Sequence, residues 1–115
     1  MGNFNSKILS CFTIGFLIFI PVSQAAERDD VHTIVISDHS FSPQELVVPA
    51  QQKIKLIVEN QDPTAEEFES YDLNREKIVG GKSSVTLYVG PLKPGVYKYF
   101  GEFHQSTAQG TIVAQ

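Results

Sequence analysis

Lys53–Glu59 alternates along its length, with Ile54, Leu56 and Val58 on one side and Lys53, Lys55, Ile57 and Glu59 on the other. A repeat of two is the signature of a strand with one buried face, because successive side chains in an extended backbone point to opposite sides. Ser84–Val89 repeats the pattern, with Val85, Leu87 and Val89 as its inward set. Shorter β-rich runs stand at Val31–Ser37, Leu46–Val48, Glu67–Leu73, Glu76–Val79, Tyr97–Phe103 and Gly110–Val113, separated by turn signals such as Pro49 and Gly80-Gly81. No stretch after residue 30 has a helical period, and at most one short helical turn is expected, around Asp72–Lys77. The chain is therefore expected to be all-β.

Leu92-Lys93-Pro94-Gly95-Val96-Tyr97 narrows the topology. Pro94-Gly95 turns the chain, and a tyrosine two residues later is placed for a tyrosine corner, the arch that ties one sheet of a Greek-key sandwich to the other. The expected fold is a Greek-key β-sandwich of about 7–8 strands.

The N-terminus belongs to a different class of sequence. Lys7 is followed by an apolar run from Ile8 to Ile20, then by Pro21 and the small residues of Ser23-Gln24-Ala25. These are the charged, apolar and cleavage regions of a secretory signal peptide, and the run is shorter than the about 20 residues of a membrane span. Most of it lies after Cys11, which argues against lipidation there. Residues 1–25 are therefore expected to be removed, with cleavage after Ala26 as the alternative, leaving a short tail at 26–30 and a domain at 31–115. Met1 and Cys11 are the chain's only methionine and cysteine, and there is no tryptophan. The exported domain thus has no thiol, no thioether and no disulfide. All 13 acidic residues lie beyond the signal, so the domain is more acidic than the net −4 of the whole chain. Without a basic patch to neutralise phosphates, no nucleic-acid partner is expected.

Phe41-Ser42-Pro43, Leu46-Val47-Val48-Pro49-Ala50, the Lys53–Asn60 strand, Pro94-Gly95-Val96-Tyr97 and the ending His104 with Gly110-Thr111-Ile112-Val113 together resemble a cupredoxin, although Gln51 stands where a glycine is common. The resemblance covers residues 31–115 and implies a cupredoxin-like sandwich. In that family a mid-chain histidine, then a cysteine, a histidine and a methionine, hold a blue-copper ion. The His-x-Phe pattern here reads Glu66-Glu67-Phe68, which puts Glu66 at the first ligand position, or Glu67 if the register slips by one. Gly101 stands at the cysteine position, His104 keeps the second histidine, and the methionine position falls at Ala108 or Gln109. A blue-copper centre needs a thiolate, so electron transfer of that kind is excluded.

Glu66-Glu67-Phe68-Glu69, Tyr71-Asp72-Leu73 and Arg75-Glu76-Lys77-Ile78-Val79 are similar to cupredoxin-like proteins of bacterial iron-uptake systems, the EfeO-type proteins and the partners of Ftr-type iron permeases. EfeO-type domains can carry cysteines where this chain has Phe41 and Gly101. The resemblance implies a periplasmic location, iron as the metal, and a membrane iron permease with other periplasmic iron-uptake proteins as partners.

Strand alternation places Glu66 with Phe68 on the core side, and Glu67 with Glu69 on the other. Extended backbone through residue 104 would place Glu102 beside His104. Convergence of Glu66 or Glu67 with Glu102 and His104, joined by His39 from the Asp38–His39 segment, would form an oxygen-rich site for an iron ion, or for manganese or copper. Carboxylate ligands would favour Fe(III) and so assist oxidation. His32 is expected at the surface, and Asp72, Arg75, Glu76 and Lys77 form a charged or docking patch. No enzyme motif is present. The competing functions are a metal-free docking module and a non-blue copper redox subunit.

Overall fold

Ile54, Leu56 and Val58 are completely buried, as their alternation requires, and the strand that carries them is the centre of the first of two sheets. The computed structural model describes residue 2, residues 14–21 and residues 30–115. Residues 14–21 have no regular secondary structure, and the expected cleavage motif and residues 26–29 lie outside the described residues. From Asp30, the last residue of the expected tail, the chain forms nine strands: β1 (Asp30–Ser37), β2 (Ser40–Ser42), β3 (Glu45–Val48), β4 (Ile54–Asn60), β5 (Glu66–Ser70), β6 (Arg75–Val79), β7 (Ser83–Val89), β8 (Gly95–Gly101) and β9 (Gln109–Ala114).

The first sheet has the order β2-β1-β4-β7 and the second β3-β9-β8-β5-β6. β1 runs parallel to β4 and β3 parallel to β9, while the remaining neighbours are antiparallel. This is the expected all-β sandwich. Ile34, Ile36, Leu56 and Leu87 of the first sheet meet Leu46, Val48, Phe68, Tyr99 and Ile112 of the second, forming one core. Phe68 and Tyr99 stack at 5.0 Å, and Phe41 packs edge-on against both rings. The Tyr97 hydroxyl donates to the Lys93 carbonyl at 2.8 Å, four residues upstream, which completes the tyrosine corner.

Three local features depart from the sequence expectation. The ninth strand is β2, because Ser37 pairs with Ser40 across a two-residue turn at Asp38-His39. The expected helical turn around Asp72–Lys77 is absent: Tyr71–Asn74 make a turn and Arg75 already opens β6. Arg75 is occupied bridging the two sheets, its Nε donating to the Tyr88 carbonyl of β7 at 2.9 Å. The short helix lies instead at Glu102–His104, one 3-10 turn that ends the extended backbone of β8 at Gly101.

Candidate metal centre

Glu66 opens β5 on the same face as Phe68, and that parity carries its carboxylate into the sandwich, where it is 2% exposed. A buried carboxylate is costly unless donors surround it. Glu66 has three. Oε1 accepts from the backbone N–H groups of Glu67 and Phe103, both at 2.9 Å, and Oε2 lies 2.6 Å from Nδ1 of His104. The 3-10 turn makes this possible, because tightening the chain after Gly101 turns both the Phe103 amide and the His104 ring toward Glu66. With Nδ1 committed as donor to the carboxylate, Nε2 is the ring's remaining ligand atom.

His39 reaches the same end of the sandwich from the β1–β2 turn. Both turn residues have positive φ, 50° at Asp38 and 56° at His39, the geometry of the tight hairpin turns usually made with glycine. Asp62, in the loop after β4, offsets the strain. Its Oδ1 accepts from the Asp38 N–H at 2.8 Å and its Oδ2 from the His39 N–H at 3.0 Å. These bonds hold the Asp62 carboxyl below its usual range against the opposing effect of burial, and the charges of His39 and Lys82 act in the same direction. The His39 ring stacks on that of His104, with centroids 3.6 Å apart and planes 13° from parallel. Its Nδ1 lies 3.5 Å from Asp62 Oδ2. Each imidazole therefore has a carboxylate opposite its Nδ1.

The ligands of a blue-copper centre do not fit here. No thiol exists between residues 30 and 115. Gly101, which the resemblance puts at the cysteine position, is closed sterically as well: a Cβ there would lie 2.7 Å from both the Ala108 methyl and the Glu66 carboxyl carbon. The space a thiolate would need is filled by Glu66.

The remaining expected ligands go elsewhere. Glu67 faces the opposite side of the second sheet from Glu66, so the two are not alternatives at one site. It meets Glu69 of its own strand and Glu76 of β6, and among the described residues this is the one trio of His, Cys, Asp or Glu whose ligand atoms all lie within 4.8 Å of one another. Hydrogen bonding to Glu76, then desolvation, then hydrogen bonding to Glu69 push the Glu67 carboxyl up to about 7. Glu102 is exposed on the 3-10 turn, whose backbone breaks the alternation that would have set it beside His104. The expected convergence of Glu66 or Glu67 with Glu102 and His104 is thus replaced by buried Glu66 with the partly exposed His104 and His39, while Glu67 is buried on the other face of the sheet and Glu102 is exposed. His32 is partly buried, not at the open surface, and its Nε2 lies 2.8 Å from Asp30 Oδ2. Asp62 is the residue that sequence reasoning missed. Its partners are 23 and 24 positions away, and the only local hint is a two-residue turn that lacks glycine.

The family model for a cupredoxin-like domain matches residues 10–114. An uncharacterized protein of Rickettsia prowazekii (strain Madrid E) is 44% identical over 116 residues, covering 95% of this chain and 93% of its own length. Auracyanin A, a "blue" copper protein from the green thermophilic photosynthetic bacterium Chloroflexus aurantiacus, superposes with a TM-score of 0.65 at 15% identity, over 76% of this chain and all of its own. Amicyanin from Paracoccus versutus gives 0.60 at 13% identity, over 76% of this chain and 84% of its own. A chain from a heme-copper terminal oxidase dimer gives 0.63 at 14% identity, over 76% of this chain and 65% of that one. At those identities the solved structures share the fold.

Proposed function

The chain belongs to the cupredoxin-like domain family, and from that premise we propose that it is a periplasmic metal-binding protein that handles iron for a membrane iron permease, using imidazoles in place of a blue-copper centre. The observation that carries this reading is the stacked pair His39 and His104, each with a carboxylate opposite its Nδ1. At His104 the carboxylate is hydrogen-bonded to Nδ1 and fixes the ring, which is how metal-binding histidines are commonly supported. Glu66 in this reading orients His104, whose Nε2 is a ligand atom. Parallel rings 3.6 Å apart cannot both aim their lone pairs at one ion, so His39 adds its nitrogen by turning out of the stack, with water completing the shell. Imidazole suits iron, copper and zinc alike, and copper(II) binds most tightly among the divalent ions. The choice of iron as cargo rests on the similarity of Glu66–Val79 to the iron-uptake proteins, as do the permease partner and the periplasmic location.

Calorimetric titration of metal-stripped protein with Fe(II), Fe(III), Mn(II) and Cu(II) tests the proposal. One-site binding that disappears in both His104→Ala and His39→Ala is the expected result. Binding that is unchanged in both variants overturns it.

One observation favours a second reading, a metal-free docking module. Among the described residues, no third ligand atom joins the two histidines within 4.8 Å, and Glu66 is saturated by protein donors. Wild-type protein that takes up none of the four ions selects this reading.

A further inference from the structure

We infer that Asp62 is a positioning residue for the candidate centre: it holds the Asp38-His39 turn in its left-handed conformation and thereby sets the His39 ring against His104. This deepens the metal-binding reading above and rests on it for the metal, though not for the ring geometry. The turn is a demanding one, since neither residue is glycine and both have positive φ. A backbone in that region persists where surrounding structure over-determines it. Here the surroundings come from two separate segments, the loop after β4 and the stretch from the 3-10 turn to β9. Asp62 takes both turn N–H groups, one on each carboxylate oxygen. Thr107, from the segment between the 3-10 turn and β9, donates its hydroxyl to the His39 carbonyl at 2.6 Å. The His104 ring covers the His39 ring.

Asp62 is itself braced. Its N–H donates to Oδ1 of the buried Asn60 at 3.0 Å, and its carbonyl accepts from the Lys82 N–H at 2.9 Å. Asn60 Nδ2 in turn donates to the Thr64 carbonyl at 2.8 Å, which closes the loop after β4 around the carboxylate. The position of His39 is therefore dictated from β4, an element its own hairpin does not include.

The test uses Asp62→Asn, which keeps the shape but presents an amide NH2 where one turn N–H needs an acceptor. The double variant Asp62→Asn with Asp38→Gly lets the turn form without a carboxylate. Two readouts are taken, the NOE between the ring protons of His39 and His104, and the number of nitrogen ligands seen by EPR with one equivalent of Cu(II). Asp62→Asn is expected to lose the ring NOE, drop from two nitrogens to one and bind Cu(II) about 10-fold more weakly, with recovery in the double variant. A ring NOE that survives Asp62→Asn overturns the inference, as does its loss in both variants while β4 amide signals remain native. If wild type binds none of the four ions, the metal-binding reading fails, and the NOE still decides the role of Asp62.

Discussion

The His104 imidazole lies 2.6 Å from the carboxylate of Glu66, a side chain buried to 2% exposure. That buried carboxylate has two effects. It gives His104 a partner of its own, and it takes up the volume beside Gly101.

Removing that carboxylate strands its donors. Glu66→Ala leaves the Glu67 and Phe103 amides and the His104 Nδ1 without their acceptor, and should lower unfolding free energy by about 2–3 kcal/mol. Glu66→Gln retains one acceptor and should cost about half as much. Urea denaturation of the two variants against wild type measures both values.

Gly101 should tolerate no side chain. Gly101→Ala drives a methyl into Ala108 and Glu66, and overpacking of that kind costs about 1–3 kcal/mol. In an Ala108→Gly background one of the two clashes is gone, so the penalty for Gly101→Ala should shrink. A double-mutant cycle by chemical denaturation gives the coupling directly.

Asp62 should make the fold acid-sensitive. Its carboxyl is held below the ordinary 3.8, chiefly by the His39 N–H. The unfolded state therefore binds the proton more readily, and the stabilisation is present above pH 3.8 and lost as pH falls through the folded value. Asp62→Ala should be less stable than wild type at pH 6, with the difference narrowing as the pH is taken below 3.8. Thermal melts across that range read the effect.

Glu67 should act with the opposite sign. Its carboxyl is raised from 4.5 to about 7 by Glu76 first, then by desolvation and Glu69. The folded state then holds the proton that the unfolded state releases, so this contribution is present below pH 4.5 and lost as pH rises through about 7. Glu76→Gln replaces a repelling carboxylate with a donor. Its Tm should exceed that of wild type by more at pH 8 than at pH 5.

Fold and site were legible to different depths. Ile54, Leu56 and Val58 declared a strand, and Tyr97 declared its corner, because both signals are local: a period of two and a hydroxyl that reaches back four residues. Glu66 beside Phe68 was readable for the same reason, since parity alone sends it inward. Glu102 was misplaced because one 3-10 turn after Gly101 cancels parity, and nothing in Glu102-Phe103-His104 announces that turn.

The amino-acid order by itself determined an all-β sandwich without a thiolate, an inward Glu66 and a histidine at position 104. Tertiary structure decided what those residues meet. It set Glu67 among carboxylates on the far face, stacked His39 on His104, and brought Asp62 under a turn 23 residues earlier in the chain. The physical reason is one of range. Alternation and turn chemistry act over a few residues, whereas the partners of a buried charge or a strained turn are supplied by whichever strands the closed sandwich places alongside.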